Sequence, residues 1–331
     1  MSQPSPSRPI VAVLTAEDQP LPPGLETLFE LADVRHADNV MTLRGALTGA
    51  QVLMVTDFRT DALAEAWPYA DDLRWIHATS AGVDAILTPE VRGSDIPVTN
   101  ARGIFDRTIA EYVAGTVALF AKDFPRSLEL QRQHRWQHRD TERIAGQRML
   151  VVGAGAIGRE IAALSRCLGL EVDGMASSDR SGDRHFGAIH ASGRLREVVG
   201  EYDFVVIAAP LTPGTRGLFD NSAFAAMKPT ARLINIGRGP IVITEDLVQA
   251  LEDGAIAGAA LDVFEEEPLP DDHPLWDAPN TILTAHMAGD FIGWEAALSE
   301  QFIANFRRWL DGEPLFNVVD KDRGYVPPDQ E

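Results

Sequence analysis

Residues 151–160 read VVGAGAIGRE, and this short loop limits the fold more than any other part of the chain. Gly153, Gly155 and Gly158 stand in the order G-x-G-x-x-G, a pattern that by itself is common by chance. Here a strand-like apolar run precedes it. Ile157, Ile161, Leu164 and Leu168 then share one helical face, with Gly169 as a C-terminal stop. In that context Gly153 permits a tight turn, Gly155 lets a pyrophosphate approach the backbone, and Gly158 lets the helix pack on the strand. Ala156 and Ile157 open the helix, whose N-terminus faces the anion. The competing explanation is a turn that merely needs small residues.

The surroundings repeat the same unit. RMLVVGAG, LEVDGMA, DFVVIAAP, ARLINIGRG, AGAALDVF and TILTAH read as six buried strands, with helical periodicity at 157–168 and 243–252. Strands alternating with helices predict a doubly wound parallel sheet, an α/β fold. Upstream, PIVAVLTA (9–16), AQVLMVTD (50–57), LRWIHATS (73–80) and IPVTN (96–100) predict a second, smaller parallel sheet. A helix is expected over roughly 107–133, with Ile109, Val113, Thr116, Val117 and Phe120 on its buried face and a bend or an end at Pro125. Its apolar residues cover more of the circumference than one face needs, which fits either a packing helix or a dimer contact. The segment WEAALSEQFIANFRRWLDGEPL reads as a closing helix and DKDRGYVPPDQE as a loosely packed end.

In open parallel sheets, ligands collect at the carboxyl ends of the strands. The last three strands end in LINIGRGPIV, LDVFEEEPLP and TAHMAGD, which put Arg238, then Asp262 and an acidic cluster, then His286 just past buried segments. An arginine between two glycines can grip a carboxylate with two parallel hydrogen bonds. A cation, an acid and an imidazole together suffice for proton transfer beside a bound oxyacid. The plainer explanation for each is packing or capping, and the residues alone leave both open.

A net charge of −20 argues against a nucleic-acid backbone or an anionic membrane as partner, because both are held through lysine and arginine. The single cysteine, Cys167, excludes an internal disulfide framework and a cysteine metal cluster, and its place on the helix behind the glycine loop suggests packing. No stretch approaches a membrane span and the N-terminus lacks a signal-peptide core, so the expected location is the cytoplasm. His134 and His138 have the i, i+4 spacing of a helical metal pair but no third ligand close in sequence, so no metal is expected. His77 and His273 read as structural.

From residue 70 to 290 the chain resembles the D-isomer-specific 2-hydroxyacid dehydrogenases. The likeness runs through SAGVD (80–84), the glycine loop, APLTPGTRG (209–217), MKPTARLINIGRGPIV, ALEDGAIAGAALDVFEEEPLP, HPLW and TAHMAG. It implies a Rossmann NAD(P)-binding domain over 101–287 and a discontinuous, flavodoxin-like substrate domain from 1–100 plus 288–331, with the active site in the cleft between them; the apolar 107–133 helix makes a homodimer through the Rossmann domain the expected assembly. It also implies reduction of a small 2-keto acid such as glyoxylate or hydroxypyruvate. Arg238 would bind and polarise the keto acid, Glu267 would pair with the histidine, and His286 would be the general acid–base. Asp262 would meet the nicotinamide carboxamide, and the backbone at Ala81 and Gly82 would receive the substrate carboxylate. Pro210, Thr215 and Ile236 fall in the motifs that contact the cofactor. Ala285 stands where many relatives have proline. The same scaffold carries formate and phosphite dehydrogenases and non-catalytic dinucleotide-sensing co-repressors, which remain alternatives.

The cofactor is expected to be NADPH or NADH. An NAD-selective fold ends its second strand on an acid that holds the ribose 2′-hydroxyl. In LEVDGMASSDRSGD that place falls on Ala176, followed by Ser177, Ser178 and Arg180, which could hold a 2′-phosphate; Asp179 could oppose it or pair with Arg180. NADPH is therefore favoured. Arg59, in TDFRT, is a candidate for a second anionic group on the substrate.

Overall fold

A computed structural model describes residues 8–57, 61–181 and 183–327 of the 331-residue chain; Arg59 lies outside the described residues. The chain divides into two compact units, one containing the residues up to Ile104 together with those from Phe291 on, the other Phe105–Asp290.

The first unit holds five parallel strands: β1 (Ile10–Leu14), β2 (Asp33–Ala37), β3 (Val52–Val55), β4 (Trp75–Ala78) and β5 (Val98–Thr99). Their order, β2-β1-β3-β4-β5, is that of flavodoxin-like sheets. Side chains alternate between the faces, as the two-residue strand period requires. Ala12, Leu14, Leu53 and Val55 pack on one side, while Val11, Val13, Val52 and Met54 pack on the other with Trp75, Phe302 and Phe306. Phe302 and Phe306 come from the closing helix, Trp294–Asp311.

Strand β2 escapes the apolar pattern because it is a polar edge strand with only Ala37 buried. The C-terminal stretch is also better packed than its polar composition implies. Val319 and Val326 are buried in this unit, and Val318 bridges to Thr99 at the sheet edge.

His77, inside β4, is fully buried. Trp75 Nε1 donates to Thr99 Oγ1 at 2.8 Å, so the Thr99 hydroxyl proton is available to His77 Nδ1, also at 2.8 Å. The other ring nitrogen has no hydrogen-bond partner among the described residues. Desolvation lowers the His77 pKa to about 3 from an ordinary 6.5. Between those values the unfolded chain binds a proton that the folded one refuses, so stability is full above pH 6.5 and falls as pH drops toward 3. Urea midpoints at pH 7 and pH 4.5 should therefore diverge less in His77→Asn than in the wild type. Equal divergence in both proteins would acquit His77.

The second unit holds seven parallel strands: β6 (Arg148–Val152), β7 (Glu171–Ala176), β8 (Ile189–Ala191), β9 (Phe204–Ile207), β10 (Arg232–Asn235), β11 (Gly258–Leu261) and β12 (Thr281–Leu283). The order is β12-β11-β10-β9-β6-β7-β8. Counted from β6 this is the doubly wound 3-2-1-4-5-6 arrangement with one strand added, and the order reverses between β6 and β9. The six expected strands become seven because the three-residue edge strand β8, paired to β7, is too short for an apolar signature.

The helix expected over 107–133 is two helices, Asp106–Ala121 and Phe124–Arg132. The break comes at Asp123, φ 49°, two residues before Pro125. Pro125 lies in the first turn of the second helix, where its missing N–H costs nothing. Cys167, expected to pack, is exposed at the end of helix Ala156–Cys167. No helix among the described residues is long and apolar enough to cross a membrane.

Candidate active site

The glycine loop joins β6 to helix Ala156–Cys167 at the point where the strand order reverses. A Cβ on Gly158 would lie 1.9 Å from the Gly153 carbonyl oxygen, so the helix can close onto the loop only at glycine. Gly153 itself has φ 115° and abuts the Ala208–Ala209 backbone after β9. Gly155, by contrast, meets nothing within 4 Å. The loop thus presents open backbone before a twelve-residue helix that starts at Ala156 and Ile157, and this arrangement fits a pyrophosphate. Beside it the 210–215 turn is built by the Thr215 hydroxyl, which donates to the Pro210 carbonyl at 2.7 Å and accepts from Thr212 N–H at 2.8 Å. Ile236, just past β10, is buried.

At the end of β7, Ser177, Ser178 and Arg180 are exposed. Asp179 is not the partner of Arg180. Its carboxylate accepts from Ala191 N–H at 2.8 Å and pairs with Arg194 at 3.5 Å.

Arg238 follows β10 between Gly237 and Gly239. A Cβ on Gly239 would lie 1.9 Å from the backbone carbon of Phe264, so this glycine lets the turn rest against the segment leading to Glu267. Asn235, almost fully buried, locks the turn: its amide donates to the Arg238 carbonyl at 3.1 Å and its oxygen accepts from Gly237 N–H at 3.1 Å. Arg238 donates to the Gly237 carbonyl at 2.8 Å.

Glu267 Oε2 lies 2.7 Å from His286 Nδ1, and Oε1 accepts from Phe264 N–H at 3.0 Å. Burial works to raise the Glu267 carboxyl, but hydrogen bonds from His286 and Phe264 N–H, with the charges of His286 and Arg238, hold it below the ordinary value. The carboxylate therefore stays ionised beside the ring and fixes which imidazole nitrogen faces it. His286 has φ 52°, a region that non-glycine residues seldom occupy. The carbonyl of Asp262 accepts from His286 N–H at 2.8 Å, and its nearly buried carboxylate accepts from Met287 and Ala288 N–H, each at 2.9 Å. Asp262 thus carries the histidine loop.

In the first unit, Ser80 Oγ donates to the Gly82 carbonyl and Asn100 Nδ2 to the Ala81 carbonyl, each at 2.6 Å. Among the described residues the N–H groups of Ala81 and Gly82 find no acceptor.

A family profile described as D-isomer specific 2-hydroxyacid dehydrogenase, NAD binding domain, matches residues 114–288, more than half of the chain. The chain belongs to that family. Among its relatives is a glyoxylate reductase of Thermofilum pendens, 32% identical over 324 residues, covering 96% of this chain and 90% of the other. An (S)-sulfolactate dehydrogenase of Chromohalobacter salexigens is 34% identical over 284 residues, 84% of this chain and 90% of the other. Among solved structures, an NADPH-dependent glyoxylate/hydroxypyruvate reductase of Sinorhizobium meliloti, in complex with NADP and sulfate, superposes with a TM-score of 0.82 at 27% identity. That match covers 96% of this chain and all of the other. This 2-hydroxyacid dehydrogenase is an oxidoreductase acting on CH–OH donors, with NADPH or NADH as cofactor.

Two groups in the dehydrogenase's site were not singled out from sequence. Asn235 gave a usable signal, as a polar residue closing an apolar strand. Thr284 gave none, since its partners Asp262 and Tyr112 stand 22 and 172 positions away. His134 and His138 are not a helical pair, because His134 lies beyond the helix end with φ 53°. No group of three or more metal-ligating side chains occurs among the described residues.

Proposed function

We propose that the enzyme reduces a small 2-keto acid, of the glyoxylate or hydroxypyruvate kind, with NADPH as its preferred donor. The 2.7 Å contact between His286 and an ionised Glu267, in one unit with Arg238, carries this reading. A ketone needs a proton on oxygen as it becomes an alcohol, and a carboxylate-backed imidazolium is the group to give it. Bound nicotinamide supplies the hydride. His286 protonates the carbonyl oxygen, Glu267 stabilises the charged ring and holds its orientation, and Arg238 grips the substrate carboxylate while polarising the ketone. In the first unit, the N–H groups of Ala81 and Gly82, without an acceptor among the described residues, are donors suited to a carboxylate. Asp262 retains acceptor capacity on Oδ2 for the nicotinamide carboxamide. Gly153, Gly155 and Gly158, with the helix start at Ala156 and Ile157, hold the pyrophosphate, flanked by Pro210, Thr215 and Ile236.

NADPH is favoured because no acid ends β7. Asp179 is drawn off by Arg194, which leaves Ser177, Ser178 and Arg180 facing solvent where a 2′-phosphate would sit. We also place the enzyme in the cytoplasm as a homodimer. Phe124, Leu128 and Trp136, all exposed on and just after helix Phe124–Arg132 in the Rossmann unit, support the dimer. Initial rates with glyoxylate, hydroxypyruvate, pyruvate and phenylpyruvate, each with NADPH and NADH, test the substrate class and the cofactor preference. The expected result is turnover of the two small acids with kcat/KM severalfold higher for NADPH. A clear NADH preference would return Asp179 to the ribose, and no turnover of any keto acid would remove the substrate class.

A further inference from the structure

We infer that Tyr112, on helix Asp106–Ala121, is a positioning residue for the general acid, acting through Thr284 and Asp262 on the backbone that carries His286. The inference rests on the acid–base reading of His286. Thr284 Oγ1 lies 2.6 Å from Asp262 Oδ1 and 2.8 Å from the Tyr112 hydroxyl. An ionised carboxylate only accepts, so the single Thr284 proton goes to Asp262. The Tyr112 hydroxyl must then be the donor to Thr284, which gives the chain one direction: tyrosine to threonine to aspartate. Burial raises the Tyr112 pKa, so the phenol keeps the proton it needs for this.

The far end of the chain is the histidine loop. Asp262 Oδ1 takes both the Thr284 proton and Met287 N–H, Oδ2 takes Ala288 N–H, and the Asp262 carbonyl takes His286 N–H. These bonds hold His286 at φ 52°, which an isolated chain would leave. Chained hydrogen bonds polarise one another, so a tyrosine without its hydroxyl weakens the threonine–aspartate contact as well as its own. A histidine allowed to drift by a fraction of an ångström loses rate without losing its chemistry.

The test is steady-state reduction of the keto acid by wild type, Tyr112→Phe, Thr284→Val, Thr284→Ser and the Tyr112→Phe/Thr284→Val double variant, with His286→Ala as reference. Tyr112→Phe should lower kcat by about threefold to tenfold and Thr284→Val by about tenfold to a hundredfold. The keto-acid KM and the pH profile should stay put, because Arg238 and the His286–Glu267 pair are untouched. Thr284→Ser, which restores the hydroxyl, should recover most of the rate. The double variant should be no slower than Thr284→Val, since the tyrosine acts only through the threonine. Wild-type kcat in both single variants, with His286→Ala inactive, overturns the positioning role alone. Multiplicative losses in the double variant overturn it too, because the two residues would then act separately. Normal turnover by His286→Ala overturns both the inference and the reading beneath it. Should Thr284→Val fail to fold, Tyr112→Phe, which keeps the ring, decides the matter.

Discussion

Replacing His286 by alanine is expected to lower keto-acid reduction by roughly 10²–10⁴-fold, the usual contribution of a positioned acid or base. Neither carboxylate beside the histidine is arranged to give that proton. Glu267 is held ionised, and the Asp262 carboxylate is taken up by the Thr284 hydroxyl and the histidine-loop amides. Affinity for the reduced cofactor should hardly change, because the glycine loop and the end of β7 are separate from the loop after β12. The left-handed backbone at His286 calls for a second variant, since alanine tolerates φ 52° poorly. His286→Asn suits that backbone and cannot supply an imidazolium, so it should fall as far as the alanine variant. Wild-type-like turnover in either, measured in the reducing direction, would remove the histidine from the mechanism.

What could be read from sequence was what rests on short-range regularity. Apolar runs such as LVV and FVVI marked central strands because both faces of a parallel sheet are buried. The G-x-G-x-x-G loop was legible because each glycine answers a local contact, including the 1.9 Å approach at Gly158. Strands β2 and β8 were not legible, because an edge position relaxes the demand for apolar side chains. The helix break was expected at Pro125 and falls two residues earlier, at Asp123. Proline marks the neighbourhood of a boundary but fits inside a first turn, so it does not fix on which side the break falls.

The site shows the same division. Arg238, Glu267 and His286 stand out by type and position beside strand ends. The groups that hold them do not. Asn235 bonds residues only two and three positions on, but the Thr284 and Tyr112 hydroxyls meet partners made neighbours by the fold alone, and no spacing rule joins position 112 to 284. The partner of Asp179 was likewise undecidable from sequence. Arg194 and Arg180 are both close along the chain, and only the pairing of β7 with β8 brings Ala191 N–H and Arg194 to the carboxylate.

Arg238→Lys should lower kcat/KM for the keto acid by about 10²-fold, the scale of losing a charge-assisted hydrogen bond and its geometry. Lysine is the informative replacement because it keeps the positive charge. Arg238 contributes to holding Glu267 ionised, so a neutral side chain would confound loss of grip with a change at the His286–Glu267 pair. The backbone leaves the lysine no means of compensating. Gly239 is pressed against Phe264, and Asn235 bonds both Gly237 and Arg238, so the turn cannot shift to bring an ammonium closer. A point charge on a flexible stem cannot reproduce two parallel, coplanar hydrogen bonds to a carboxylate. The loss should therefore fall mainly on use of the keto acid, with KM for the reduced cofactor near its original value and the pH profile unshifted. If Arg238→Lys retains near-normal kcat/KM, the carboxylate is held elsewhere, and the Ala81 and Gly82 amides become the groups to probe.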